Sequence, residues 1–315
     1  MVSVLVCNGN SVDGVWVIAH ECGHQAFSPS LFVNDAVGCV LHTMLLVPYW
    51  SWKYSHSQHH ANANSMEKDS VFVPRTDLTA NLKKKREPSA FQRLINLARM
   101  LLVGWIMYLL INAASSKVDA KKGKKSTGVF RFLEKWNSHF NPFCNLWRSR
   151  GQKIGVVASD VALFVWAWVL YRLSLKFGVL AVLKHYFFPY LWVNFWLVTI
   201  TYLQHTDWAV PKYYNEKWTW LRGALGTVDR DFGLLNILHH HIGDTHVLHH
   251  IFSQIPHYHA QEATKALLDS HLIDEYYLCD PTPWYAALWR SYTQCWYVRH
   301  DQPITWFESF KAKLN

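Results

Sequence analysis

Residues 239–250 read HHHIGDTHVLHH, six imidazoles in twelve residues of a 315-residue chain that holds 19 His in all. No other stretch limits the possible folds so strongly. His246, His249 and His250 form HxxHH, and at about 100° per residue on a helix the offsets i, i+3 and i+4 lie on one narrow face. Three ring nitrogens can then converge on one ion. A lone histidine pair is ordinarily a polar surface or a satisfied core feature, so a single motif decides little. The spacing recurs, however: His56, His59 and His60 repeat HxxHH, while His20 and His24 add HxxxH. Eight imidazoles in three clusters exceed what one tetrahedral zinc uses, and neutral imidazole suits iron, copper, nickel and zinc. The pattern predicts a two-metal site built from opposite ends of the chain.

Composition says where that site is. Half of the chain is hydrophobic (50%), with 17 Trp, 17 Phe and 15 Tyr, a density of Trp and Tyr that fits membrane-interface belts. The net charge is +9 and the basic residues come in runs, Lys83, Lys84, Lys85, Arg86 and Lys121, Lys122, Lys124, Lys125. Such runs bind nucleic acid in soluble proteins; beside apolar spans they mark the cytoplasmic face of a membrane. Six Cys form no CxxC pair and read as free thiols in a reducing compartment. Residues 1–19 lack the basic start and small-residue cleavage site of a signal peptide.

The chain order gives the expected architecture, an all-α integral membrane protein. Residues 12–24 read as the end of an apolar helix that emerges into water at its histidines. His20, Glu21 and His24 also spell HExxH, the zincin signature whose Glu is a general base; an intramembrane metalloprotease is the competing reading, and it leaves two HxxHH clusters unused. Leu31–Trp52 is apolar but broken by Asn34, Asp35, His42 and Pro48, and is expected to lie in the interface or re-enter. Residues 91–113 are long enough to span at about 20 residues. With basic runs on both sides, they are expected to lie in the interface as an amphipathic helix. Two segments, 154–171 and 186–204, read as true spans, with the link from Ser174 to His185 in the lumen. A pair of spans returns the chain to its starting side, so all three clusters share one face. His205, in TYLQHTD, sits at the mouth of the second span, either as an interfacial histidine or as a ligand. Residues 206–315 hold no span and should form a cytosolic helical cap over the site. The end, Lys311, Ala312, Lys313, Leu314, Asn315, is similar to a KxKxx retrieval signal.

HECGHQAFS at 20–28, LLVPYWSWKYSHSQHH at 45–60, DSVFVP at 69–74, LQHTD at 203–207 and DTHVLHHIFSQIPHYHA at 244–260 together resemble the membrane-bound fatty acid desaturases. Within these, the match is best to the delta-12 (oleoyl-lipid) group of fungi and plants. The likeness runs from about residue 14 to the end, as one desaturase domain over residues 1–315. It implies a histidine-ligated di-iron centre on the cytosolic face of the endoplasmic reticulum and O2 as co-substrate. Electrons would come from NADH through cytochrome b5 and its reductase, and membrane phospholipid acyl chains would be the substrate. A homo-oligomer is possible within the family. Carried over residue by residue, the metal ligands would be His20, His24, His56, His59, His60, His246, His249 and His250, with His205 as a ninth. His240 and Asp244 lie in the same family stretch, where Asp244 would orient an imidazole. An omega-3 desaturase, a di-iron hydroxylase or an epoxygenase would share the ligands and differ in tunnel shape. One departure is plain: family members carry a pair of spans before the first cluster, whereas 19 residues precede His20 here, and the expectation is a truncated N-terminus. No HPGG heme motif is present, so the electron donor must be a separate protein.

Overall fold

The computed structural model describes residues 2–80, 87–115 and 133–310, with side chains from residue 13 onward. Both basic runs and the Lys311–Asn315 tail lie outside the described residues. The chain is mainly helical and divides into two compact units, Met1–Ser57 with Leu102–Ala113 and Lys117–Trp196, and Gln58–Leu101 with Ala114–Ser116 and Leu197–Asn315.

In the first unit, α1 (Val2–His24) runs directly into its histidines. The chain then turns at Ser28–Ser30, where the Asn34 amide donates to Ser28 O at 2.7 Å and Ser30 O at 2.9 Å, and its own oxygen accepts from Ser28 N at 3.0 Å. Ser30 caps α2 (Leu31–Met44) by accepting from Val33 N. α2 packs on α1 with Gly38 at the contact, where a Cβ would stand 2.4 Å from the Tyr49 ring and 2.8 Å from Cys22 Cβ. Leu46, with φ of 55°, and Pro48 then turn the chain into α3 (Tyr49–Asn62), at 108° to α2. Proline cannot continue a helix that would need its N–H. The long helix α5 (Arg150–Phe177) starts with a capping box, Ser149 with Gln152, and stops at Gly178, whose φ is +87°. It lies against α3 through Gly155, which leaves room for Tyr54, and through Ser159 Oγ, which accepts from Trp50 N at 2.9 Å. A short helix α6 (Val179–Val182) and a π-helical turn at Leu183–Phe187 lead into α7 (Phe188–His205).

Among the described residues, α4 (Ala90–Ile111) and α5 are the helices long and apolar enough to cross a membrane singly, and α2 with α3 passes as a bent pair. The sequence reading put 91–113 in the interface and a span at 186–204. α7 falls below that hydropathy because it carries Asn194, Thr199, Thr201 and Gln204. The structure gives three of these protein neighbours instead of lipid: Asn194, Thr199 and Gln204 are each fully buried.

The second unit frames the remaining histidines. Two small sheets hold it: β1 (Lys212–Tyr213) pairs antiparallel with β4 (Ile304–Thr305), and β2 (Val228–Arg230) pairs parallel with β3 (Leu278–Asp280), in the register Asp229↔Cys279. Around them lie α8 (Trp220–Leu225), α9 (Leu235–Leu238), α10 (His246–Ile251), α11 (His257–Asp269) and α12 (Trp284–Gln294). The C-terminal end of α3 is locked to α8. Trp218 Nε1 donates to Ala63 O at 3.0 Å, and the buried Asn64 amide donates to Gly223 O at 2.8 Å and Gly226 O at 2.7 Å. A Cβ at Gly223 would sit 2.2 Å from Ala63 O. Gly223→Ala should therefore destabilise the protein by about 1–3 kcal/mol through overpacking. Gly151→Ala, where the nearest atom is 3.8 Å away, should be neutral or stabilising. Thermal unfolding of the two variants in detergent measures the contrast.

Candidate metal centre

Helical spacing does the first half of the work. On α1, His20 and His24 are one turn apart, with Nε2 atoms 3.2 Å from each other, and His20 Nε2 lies 2.9 Å from His56 Nε2. The His56 ring stacks on Trp52 at 4.7 Å, and His20 on Trp16 at 5.6 Å, so indole walls of the first unit face these imidazoles. The ring nitrogens of His20, His24 and His56 lie within 4.8 Å of one another.

The second unit holds a histidine set of its own. His59, His205 and His250 are all buried and offer nitrogens within 4.8 Å of one another. His59 Nε2 is 3.3 Å and His246 Nε2 is 3.1 Å from His205 Nε2. The His60 ring stacks on His250 at 4.2 Å and meets His249 edge-on at 4.8 Å. Burial, and after it the charge of His59, pushes His249 down to about 3, so its imidazole is neutral at physiological pH and keeps a lone pair. Imidazoles that aim their nitrogens at one another in a largely buried site compete for few mutual hydrogen bonds. The donor set is all nitrogen and borderline in softness, which fits first-row transition metals. The site residues thus fit a pair of histidine-ligated irons.

Four residues that the sequence reading did not single out hold this set in place. Asp69 Oδ1 accepts from His59 Nδ1 at 2.9 Å, which fixes the tautomer that leaves Nε2 facing the other rings. The other Asp69 oxygen accepts from Asn64 N at 3.1 Å. Lys212 is 1% exposed and donates from Nζ to Asn64 Oδ1 at 2.6 Å and to His205 O at 3.3 Å; burial pushes it down to about 8 despite the nearby charge of Asp69. Arg230, fully buried, donates from Nε to Leu203 O at 3.0 Å and from its guanidinium to Asp207 Oδ2 at 2.6 Å, and also pairs with Asp280. Leu203 and Asp207 stand two residues either side of His205. Phe72, held at φ of 55°, stacks its ring on His205 at 4.9 Å. A carboxylate ten residues after a histidine follows no ligand spacing rule. The signal for Asp69 and Phe72 was the DSVFVP motif itself.

The imidazole that Asp244 engages is that of His241, whose Nδ1 donates to Asp244 Oδ2 at 2.9 Å. The His240 ring lies 4.6 Å from His257, with φ of 52° at its own backbone. Histidines outside the clusters have ordinary roles. His42 packs among Trp16, Tyr49 and Trp52, His139 meets Ser55 Oγ at 3.1 Å, and His271 and His300 pair with Asp274 and Asp77 at the surface. The first unit also carries an apolar pocket of about 720 Å³, open on one side and lined by Val15, Met44, Trp166, Leu170 and Tyr186 among others and by none of the clustered histidines. Its Tyr186 hydroxyl is already engaged, donating to Met44 O and accepting from Trp166 Nε1.

Removing the Asp69 carboxylate tests how the site is held. Asp69→Asn should lower metal affinity 10- to 100-fold, as loss of a hydrogen-bond partner behind a ligand does elsewhere, and His249→Ala should abolish activity, while His42→Ala should leave metal content unchanged. Bound metal per chain, measured on purified protein, reads the first and third directly.

The fatty acid desaturase family profile matches residues 2–279. The chain is 45% identical to an omega-6 fatty acid desaturase, endoplasmic reticulum isozyme 1, of Glycine max, over 94% of its own length and 72% of the relative's. It is 44% identical to a delta(12)-oleate desaturase of Trichosanthes kirilowii over 94% of its length and 76% of the relative's. An oleoyl-12-hydroxylase of Ricinus communis is 42% identical over 96% of this chain and 74% of the relative. The metalloprotease reading of HExxH is set aside by these matches, since Glu21 belongs to a histidine box that continues into two further clusters. A helical membrane protein with buried histidine clusters, matched over most of its length by this profile and these relatives, belongs to the fatty acid desaturase family and is an oxidoreductase of that type.

Proposed function

We propose that this desaturase inserts a second cis double bond, at the delta-12 position, into oleoyl chains of membrane phospholipids. It would use O2 and electrons from NADH through cytochrome b5 and its reductase. The observation that carries the regiochemistry is the run of relatives named for oleate delta-12 and omega-6 chemistry across 94% of this chain. Relatives named as endoplasmic-reticulum isozymes support that membrane as its location.

The proposed ligands are His20, His24, His56, His59, His60, His205, His246, His249 and His250, with His240, beside His257, and Asp244, bonded to His241, in supporting roles in the stretch before α10. Two irons bound there would supply the oxidising power that an unactivated methylene C–H bond demands, for which no side-chain acid, base or nucleophile suffices. What the chain itself contributes is order and dryness. Asp69 holds the His59 proton on Nδ1, Lys212 holds the carbonyl of His205, Arg230 holds the Leu203 carbonyl before it and the Asp207 carboxylate after it, and the Trp16 and Trp52 rings keep water from His20 and His56. The acyl chain must be held so that one pair of carbons meets the oxidant, because geometry selects the reacting bond.

A second reading has a specific observation behind it, the hydroxylase of Ricinus communis at 42% identity. The same oxidant serves both outcomes, and the position and freedom of the substrate decide between them; the same holds for an omega-3 desaturase or an epoxygenase. Expression in a eukaryotic host that makes oleate but no linoleate separates these by fatty acid profile. Linoleate is the expected product. Hydroxylated oleate would favour the second reading, and α-linolenate from supplied linoleate, with none made from oleate, would overturn the delta-12 assignment.

For topology we take α5 and α7 as the spans, with the 178–185 link in the lumen and the histidine clusters cytosolic. A glycosylation acceptor inserted at Gly178 should then be modified and one at residues 113–115 should not. Modification at 113–115 would mean that α4 crosses the bilayer, as its length and composition allow.

A further inference from the structure

α10 carries three of the nine proposed ligands on six residues, His246–Ile251. A helix this short has no stability of its own in water, so its position is set by what grips it. Its N-cap, Thr245, makes no side-chain capping bond; that hydroxyl donates to His241 O at 2.7 Å instead. The start of the helix is held from another element. Asp229 on β2 accepts from Val247 N at 2.8 Å through Oδ1, and from the Tyr277 hydroxyl at 2.9 Å through Oδ2. The residue is 1% exposed, and Val247 is buried with Leu225 and Ile273. Backbone contacts reinforce the grip, since Arg230 N donates to Gly243 O at 2.9 Å just before the helix.

Successive strand residues point to opposite faces. On β2 this places Asp229 toward α10 and Arg230 toward Leu203 and Asp207, which flank His205. One three-residue strand therefore touches two of the three segments that bring histidines to the buried set of His59, His205 and His250.

We infer that Asp229 is a positioning residue for the metal centre, the capping acceptor that the sequence of α10 lacks, fixing where His246, His249 and His250 stand. The inference rests on the proposal that these histidines hold metal. Metal–ligand distances tolerate only about 0.2 Å, whereas apolar packing around Val247 fixes neither the rotation nor the axial position of a six-residue helix. Directional bonds from a buried carboxylate do both. Tyr277, packed against the cluster of Leu225, Val247 and Ile273, belongs to the same device, because its hydroxyl orients the carboxylate.

The test uses the full chain in detergent, stripped of metal and titrated with Co²⁺ alone, following the visible absorption that reports ligand geometry. Asp229→Ala should weaken Co²⁺ binding 10- to 100-fold and alter the visible band. Asp229→Asn, whose Oδ1 still accepts from Val247 N, should restore both to near the unmodified protein, and Tyr277→Phe should fall between. Co²⁺ binding by Asp229→Ala with unchanged affinity and spectrum overturns the positioning role alone; absence of binding in the unmodified chain overturns the metal reading and this inference with it. Should the alanine variant fail to fold, the other two decide. Asparagine at full affinity with Tyr277→Phe weakened supports the inference, and asparagine weakened with Tyr277→Phe at full affinity overturns it.

Discussion

Imidazole nitrogens held about 3 Å apart in a dry site are what the surrounding architecture has to sustain. Two neutral rings can share one hydrogen bond, but a third or fourth ring aimed at the same point leaves lone pairs opposed. Left to itself such a set would rotate apart or admit water. Here the rings are blocked by neighbours that have little freedom of their own: Trp52 stacks on His56, Phe72 stacks on His205, and Asp69 bonds His59. Fixing the rings through such neighbours is the condition for strong metal binding.

Two further supports, Asn64 and Arg230, are polar and buried, and each is satisfied by partners distant in the chain. Asn64 uses both amide hydrogens on Gly223 and Gly226 carbonyls while its oxygen takes the Lys212 ammonium. Arg230 spends its guanidinium on Leu203 O, Asp207 and Asp280. An unpaired charge in such a place costs about 3–5 kcal/mol, so these groups are held in one arrangement and transmit that rigidity to the histidines beside them. The same logic explains α7. Asn194, Thr199 and Gln204 lower its hydropathy, yet each is enclosed by protein, and Gln204 donates to Ile242 O at 2.7 Å in the loop before α10.

Much of the centre was legible in the residues because helix geometry is local. HxxHH and HxxxH place their rings on one face whatever the rest of the chain does, and α1, α3 and α10 all formed where that spacing demanded. The break at Pro48 was visible for the same reason. Less was legible in α4, where flanking charge pulled the reading one way and hydropathy the other, and in α7, where buried polar side chains lower the hydropathy of a segment read as a span. Asp244 shows the limit most clearly. It is two residues from His246, but its carboxylate faces His241, because the turn through residues 240–245 runs in left-handed backbone at His240 and His241 that no spacing rule reports.

The sequence by itself determined that eight histidines in ligand spacing lie beside apolar helices, and the family follows from that order of motifs. Tertiary structure alone decided which carboxylate, cation and aromatic ring support each imidazole. His59 meets His205 across 146 positions, and Asp229 meets Val247 across 18. Side-chain periodicity carries information over one or two turns of helix. A hydrogen bond between distant segments depends instead on where packing puts their backbones, and that is settled only when the whole chain has buried its apolar surface.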